Sequence, residues 1–234
     1  MNRQSMQVEV ADGALNAYVV YPDHPSAPAV VVLQEIFGVN ADLRATCEEL
    51  AGKGFIAVSP ELFWREAPGL DLHSWSPEEW KQGLALYEHY DFDRGVRDIA
   101  AVVAVTRALQ GCNGKVGVMG FCLGGLMTYL TAARSHVDAA AWYYGGQTER
   151  FLGESAGLAA PIIMHVGEED EFVTPEAQRS IKEALGSRLN VEFFTYPGCY
   201  HAFARHSGTR YDAAAASLAN GRTEAFLHRH LANA

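Results

Sequence analysis

Eleven residues near the middle of the chain constrain it more than any other stretch: Lys115-Val116-Gly117-Val118-Met119-Gly120-Phe121-Cys122-Leu123-Gly124-Gly125. The apolar run has the composition of a short buried strand, and the glycines mark a bend too tight for side chains. Leu126-Met127-Thr128-Tyr129-Leu130-Thr131-Ala132-Ala133 continues as a helix. Gly120-Phe121-Cys122-Leu123-Gly124 is therefore a sharp strand-to-helix elbow with a cysteine at its tip. Such a bend exposes its side chain at the C-terminal end of the strand and turns the next backbone N–H toward an incoming carbonyl oxygen. The helix N-terminus that follows favours the thiolate, the form that attacks. The plainer alternative is a glycine-flanked core cysteine, since free Cys is among the most buried residue types.

Strands and helices alternate on both sides of this elbow. Residues 7–10 and 15–21, separated by Asp12-Gly13, read as a hairpin at a sheet edge. Val30-Val31-Val32-Leu33 is a continuous apolar run, as expected for a strand buried on both faces, and it ends in Gln34-Glu35-Ile36-Phe37-Gly38. Asn40 is a plausible N-cap for a helix carrying Leu43, Cys47, Leu50 and Ala51, with Gly54 as its stop. Residues 55–60 form the next strand. Residues 61–90 lose clear periodicity while gaining Trp64, Trp75, Trp80, Tyr87 and Tyr90, as a segment covering a pocket with aromatic side chains would. A helix then runs to about residue 110. Beyond the elbow helix come strands at 137–144 and 161–166, a helix opened by Thr174-Pro175 and closed at Gly186, a strand at 191–196 and an Ala-rich helix over 211–231. The expected fold class is α/β: a mostly parallel twisted sheet with helices on both faces, in one domain over residues 1–234.

Charge and cysteine count remove several functions. A formal charge of −10 argues against wrapping nucleic acid or an anionic membrane. No apolar stretch is long enough to span a bilayer, and the first residues lack a secretory core, which points to the cytoplasm. Cys47, Cys112, Cys122 and Cys199 show neither C-x-x-C nor paired Cys/His spacing, so no metal site and no disulfide framework is expected. The partner implied is a small molecule, and the chain is read as a monomer or small homo-oligomer.

Three chemically useful residues follow successive strands in one order. Cys122 ends the elbow strand, an acid lies among residues 168–171, and His201 follows the last strand. The arrangement resembles the α/β-hydrolase plan, in which nucleophile, acid and histidine gather at the C-terminal edge of the sheet. A histidine there takes the thiol proton and returns it to the leaving group, while the acid fixes its tautomer. His165 sits inside its strand and reads as a core or supporting residue.

The sequence closely resembles the dienelactone hydrolases (carboxymethylenebutenolidases), cysteine-dependent members of the α/β-hydrolase fold. The likeness rests on Gln34-Glu35-Ile36-Phe37-Gly38, Ala67-Pro68-Gly69, Asn113-Gly114-Lys115-Val116-Gly117, the elbow through Gly125, Tyr143-Tyr144-Gly145, Asp170 with Phe172-Val173, and His201-Ala202-Phe203-Ala204-Arg205. It implies Cys122 as nucleophile, Asp170 as the acid of the cluster and His201 as base, with Glu35 interacting with the thiol and helping to activate it. It also implies an oxyanion hole from the N–H groups of Ile36 and Leu123, a substrate carboxylate held by Arg205, and no metal or organic cofactor. Phe37, Trp80 and Tyr87 are expected to contact the substrate. Trp80 marks a departure: it stands where the best-known chlorocatechol-pathway members carry a second carboxylate-binding arginine, while Leu84 replaces a pocket tyrosine and Tyr87 a pocket tryptophan. The reaction expected is hydrolysis of a lactone or activated ester through an acyl-enzyme. A thiol redox sensor using Cys122 with Cys199, or an idle relative that binds a small acid, are the competing readings.

Overall fold

The computed structural model describes residues 1–232. The hairpin exists and is longer than its alternation predicts: β1 (Asn2–Val10) runs antiparallel to β2 (Gly13–Tyr21), with Val10 opposite Gly13. The remaining strands are β3 (Ala27–Leu33), β4 (Ile56–Pro60), β5 (Cys112–Phe121), β6 (Ala139–Tyr143), β7 (Ile162–Gly167) and β8 (Val191–Tyr196). They form one eight-stranded sheet in the order β1-β2-β4-β3-β5-β6-β7-β8, parallel from β4 through β8 and antiparallel only where β2 pairs with β1 and β4. This is the α/β architecture expected from the alternation, in the α/β-hydrolase form that the resemblance implied.

The apolar runs are continuous because both faces of the sheet are covered. Along β3, Ala29, Val31 and Leu33 enter one core while Val30 and Val32 enter the other. The first core is closed by α3 (Phe92–Arg107), α4 (Leu123–Arg134) and α5 (Pro175–Leu185), through residues such as Ile99, Leu130 and Ile181. The second is closed by α1 (Ala41–Gly52) and α6 (Ala213–Leu231), through Leu43, Cys47, Phe226 and Leu227. Burying one such Leu or Ile stabilises the fold by about 1.5–3 kcal/mol, so these stripes carry the layers. Among the described residues no helix is long and apolar enough to cross a membrane.

One element corrects the sequence reading. Residues 61–90 contain α2 (Pro77–Glu88), capped by Ser76, whose side chain accepts from the Glu79 N–H, with Pro77 in the first turn. Only Gly83 of this helix is fully buried. Its aromatic residues Trp80 and Tyr87 line a cavity and only partly pack against the core, which is why the helical period is faint. A 3₁₀ helix over Thr148–Gly157 was likewise unmarked in the sequence.

Parallel strands deliver their C-terminal ends to one edge. There the chain leaves β3 at Gln34, β5 at Cys122, β6 at Tyr144, β7 at Glu168 and β8 at Pro197.

Candidate active site

Cys122 sits between the last residue of β5 and the first of α4, with φ 53° and ψ −113°. Non-glycine residues rarely hold such a conformation, which costs about 1–3 kcal/mol unless neighbours impose it. Here they do. The Cys122 N–H donates to the Tyr143 carbonyl at 3.1 Å and the Gly124 N–H to the Gln34 carbonyl at 2.9 Å. Gly124 is required by approach: a Cβ there would lie 2.3 Å from the Leu33 carbonyl oxygen. Among the described residues the other non-glycine positive φ values belong to Tyr144, Gln147 and Ala202, all at this same edge. Strain is concentrated where the strands end.

The acidic loop after β7 separates into four different environments. Asp170 is buried, and its Oδ1 accepts from the N–H groups of Phe172 and Val173, both at 2.8 Å. Both of its oxygens lie 3.0 Å from Nδ1 of His201. Glu168 instead accepts from Thr195 Oγ1 at 2.8 Å, Glu169 is exposed, and Glu171 accepts the His201 backbone N–H at 3.2 Å. The loops after β7 and β8 are also tied directly, Glu168 N–H to the Tyr196 carbonyl at 3.0 Å and Glu169 N–H to that of Cys199 at 2.9 Å. One carboxylate of the four is thus fixed on the imidazole.

His201 is buried between the ring of Phe172, at 4.7 Å, and that of Tyr144, at 5.0 Å, both edge-on. Its Nε2 is buried without a hydrogen-bond partner among the described residues. Burial pushes the imidazole pKa down, but the negative charge available at Cys122 and the bond to Asp170 outweigh it and raise the pKa well above 6.5. Cys122 acts on the ring both through its charge and as a hydrogen-bonding neighbour. With Nδ1 committed to Asp170, only Nε2 can exchange a proton with a reacting group.

The backbone N–H groups of Ile36 and Leu123 make no hydrogen bond among the described residues. Gln34 braces the loop that carries Ile36: its side chain donates to the Glu35 carbonyl at 3.1 Å and accepts from the Leu62 N–H at 3.0 Å. From above, α2 rests on the same loop through Gly83, where a Cβ would come 2.6 Å from the Ile36 carbonyl oxygen.

Glu35 is paired with a cation: its Oε2 accepts from Arg205 Nη1 at 2.7 Å. The two side chains are largely buried, and Glu35 Oε1 and Arg205 Nε have no partner among the described residues. Burial lowers the Arg205 pKa, but the Glu35 carboxylate and Tyr144 raise it further, so the guanidinium stays charged. It also lies 5.1 Å from the centre of the Phe37 ring. The cation expected to meet a substrate carboxylate already has an internal one.

A cavity of about 110 Å³ joins these parts, reaching Cys122, His201, Arg205, Ile36, Phe37, Trp80 and Tyr87. The sequence reading had named all seven. Leu84, which stands at the pocket-tyrosine position, lines it as well, and Gln147 and Phe172 are further walls that nothing in the sequence marks. Among the described residues no group of three or more His, Cys, Asp or Glu side chains is placed to hold a metal ion.

Known proteins share this arrangement along most of their length. The dienelactone hydrolase family pattern matches residues 15–231. Carboxymethylenebutenolidase 1 of Cupriavidus pinatubonensis is 40% identical over 211 residues, 90% of either chain. The chain belongs to the dienelactone hydrolase family. The carboxymethylenebutenolidase of Pseudomonas putida is 37% identical over 228 residues, 97% of each chain. A solved structure from Klebsiella pneumoniae, assigned to the dienelactone hydrolases, superposes with a TM-score of 0.83 at 25% identity, over 98% of this chain and 100% of the other. The protein is accordingly a hydrolase.

Trp80 is held among aromatic rings at the cavity wall. Its ring packs edge-on against Phe37 at 5.4 Å and stacks at 6.5 Å on Phe172. The adjacent Lys81 is exposed. Arg205 remains as the cation named for the pocket.

Proposed function

We propose that this dienelactone hydrolase is a cytoplasmic, cysteine-dependent enzyme that opens lactones or cleaves activated carboxylic esters through an acyl-enzyme on Cys122. The observation that carries this reading is the unpartnered Nε2 of His201, buried close to Cys122 while Asp170 holds the opposite ring nitrogen.

The chemistry then runs in two halves. His201 Nε2 takes the Cys122 proton, and the resulting imidazolium is favoured by the same charges that raise its pKa. Sγ attacks the carbonyl carbon, and the oxyanion forms against the N–H groups of Ile36 and Leu123. The carbon–oxygen bond breaks, the leaving oxygen takes the His201 proton, and the acyl group stays on sulfur. A water molecule then gives its proton to His201 as it attacks the thioester, and release of the acid returns the thiol. Asp170 keeps the tautomer and orientation through both halves. Arg205, Phe37, Trp80 and Tyr87 face the substrate. Because Trp80 supplies an aromatic wall where a second cation would stand, the pocket suits a bulkier or less acidic substrate.

Cys199 is a poor resolving thiol for a redox sensor. It is buried, and burial pushes its pKa up, away from the thiolate needed for exchange. The function is tested by Cys122→Ala, which should remove hydrolysis of a small activated ester by about 10³-fold or more while leaving the thermal midpoint nearly unchanged. Retained turnover would contradict the proposal.

A further inference from the structure

Two residues of the cavity wall, Tyr87 and Gln147, are linked with Arg150 behind them in a polar chain that the hydrolytic steps do not use. Arg150 Nη1 donates to Gln147 Oε1 at 2.6 Å, and Gln147 Nε2 donates to the Tyr87 hydroxyl. The direction of this chain is fixed by chemistry. A guanidinium can only donate, so the Gln147 atom facing Arg150 is its oxygen, and its NH₂ faces Tyr87. An amide NH₂ can only donate, so the phenol oxygen accepts and its own proton remains uncommitted. No protein acceptor takes that proton among the described residues.

Position makes this donor relevant. Tyr87 and Gln147 line the same cavity as Cys122 and His201. Gln147 is held in a left-handed conformation, φ 66° and ψ 3°, which a side chain other than glycine or asparagine seldom adopts without a reason. Burial, then the negative charge available at Cys122, keep the Tyr87 phenol protonated, pushing its pKa up to about 12. The rest of the cavity offers little polarity: Trp80, Phe37, Leu84 and Phe172 are apolar, and the Arg205 charge is offset by Glu35.

Building on the proposed hydrolytic reading of this site, we infer that Tyr87, oriented by Gln147 and Arg150, is a specificity-determining hydrogen-bond donor. It selects uncharged lactones or esters that carry a second oxygen acceptor, a ketone, amide or ether oxygen, beside the scissile carbonyl. An ionised carboxylate is served less well. It would lose its hydration against an aromatic wall and gain a neutral phenol and a cation already paired with Glu35.

The test uses three butenolides that share one ring and differ in one substituent: acetyl, the isosteric isopropenyl, and carboxylate. In wild type, kcat/KM for the acetyl lactone should exceed that for the isopropenyl lactone by about tenfold, the worth of one well-placed hydrogen bond, and should also exceed that for the carboxylate. Tyr87→Phe should bring the acetyl-to-isopropenyl ratio close to one by slowing the acetyl lactone about tenfold more than the isopropenyl lactone. Gln147→Glu separates recognition from mere support. A carboxylate at 147 still bonds Tyr87 and Arg150 but accepts a hydrogen bond from the phenol O–H, which is then no longer free for substrate, so the ratio should again fall to about one in a folded protein. A ratio unchanged in Tyr87→Phe, or equal losses on both neutral lactones, would overturn the inference. A Cys122→Ala protein that still turned over the acetyl lactone would overturn the hydrolytic reading beneath it, a separate and distinguishable failure.

Discussion

Two buried histidines on neighbouring strands of this sheet have opposite chemistry. His165 lies inside β7, fully buried, with Nδ1 2.8 Å from the Tyr196 hydroxyl and Nε2 2.9 Å from Thr223 Oγ1. Burial, reinforced by the positive charge of Arg222, holds its pKa at about 3, so it is neutral at any physiological pH. His201 lies just beyond β8, almost as deeply buried, but its partners are the Asp170 carboxylate and Cys122, and its pKa moves upward. Burial alone makes a histidine inert. What makes a buried histidine a base is a charged partner on one nitrogen and an empty place on the other, and the strand ends are where this fold can supply both.

The sharpest way to break this contrast is to replace each ring. His201→Ala should lower kcat/KM on an activated ester by about 10²-fold or more, as expected for loss of general acid–base catalysis. Asp170→Ala should cost less in rate than His201→Ala, and it should also destabilise the fold, because the buried N–H groups of Phe172 and Val173 lose their acceptor. If Glu168 or Glu169 proved the more sensitive acid, the assignment of Asp170 would be wrong.

Titration sharpens the comparison further. Followed by NMR, the His201 ring should protonate well above 6.5 in wild type and at distinctly lower pH in Cys122→Ala, because the thiol charge is the largest of the influences raising it. A group raised in this way stabilises the fold fully below pH 6.5, and that contribution is lost as pH rises through the elevated folded value. An unaltered titration in Cys122→Ala would mean the two side chains are not coupled.

His165 should give the reverse sign. Its folded pKa of about 3 lies below the ordinary 6.5, so below pH 6.5 the unfolded chain binds a proton that the native state refuses. Stability from this group is complete above pH 6.5 and falls as pH drops, by about 2 kcal/mol between pH 6.5 and pH 5. Urea unfolding at pH 7 and pH 5 should therefore show a pH-dependent loss that is smaller by about this amount in His165→Asn. Equal losses in both proteins would show that His165 is not held neutral.

The sequence announced the chemical half of the site better than the recognition half, and the reason is physical. Cys122 and Asp170 each follow a strand buried on both faces, visible as an apolar run that stops abruptly, and His201 follows the half-buried edge strand β8, visible through its aromatic and β-branched residues. Their order along the chain then implies that they share one edge. The helix α2 gave no comparable signal, because Trp80, Leu84 and Tyr87 face a cavity and leave only Gly83 fully buried. Its Ser76-Pro77-Glu78-Glu79 start was the legible clue. The Glu35–Arg205 pair joins residues 170 positions apart and could not be read from spacing, and nothing in the sequence marks Gln147 as left-handed.

The central claim is that the carbonyl carbon becomes bonded to Cys122. Rapid quenching of the enzyme during turnover of a slowly deacylating activated ester, followed by intact-protein and peptide mass spectrometry, tests it directly. The account predicts a mass increase equal to one acyl group, located on the peptide carrying Cys122, lost on further incubation and absent from Cys122→Ala. An acyl group on any other residue with the same rise and decay, or continued turnover with no adduct on Cys122, would contradict it.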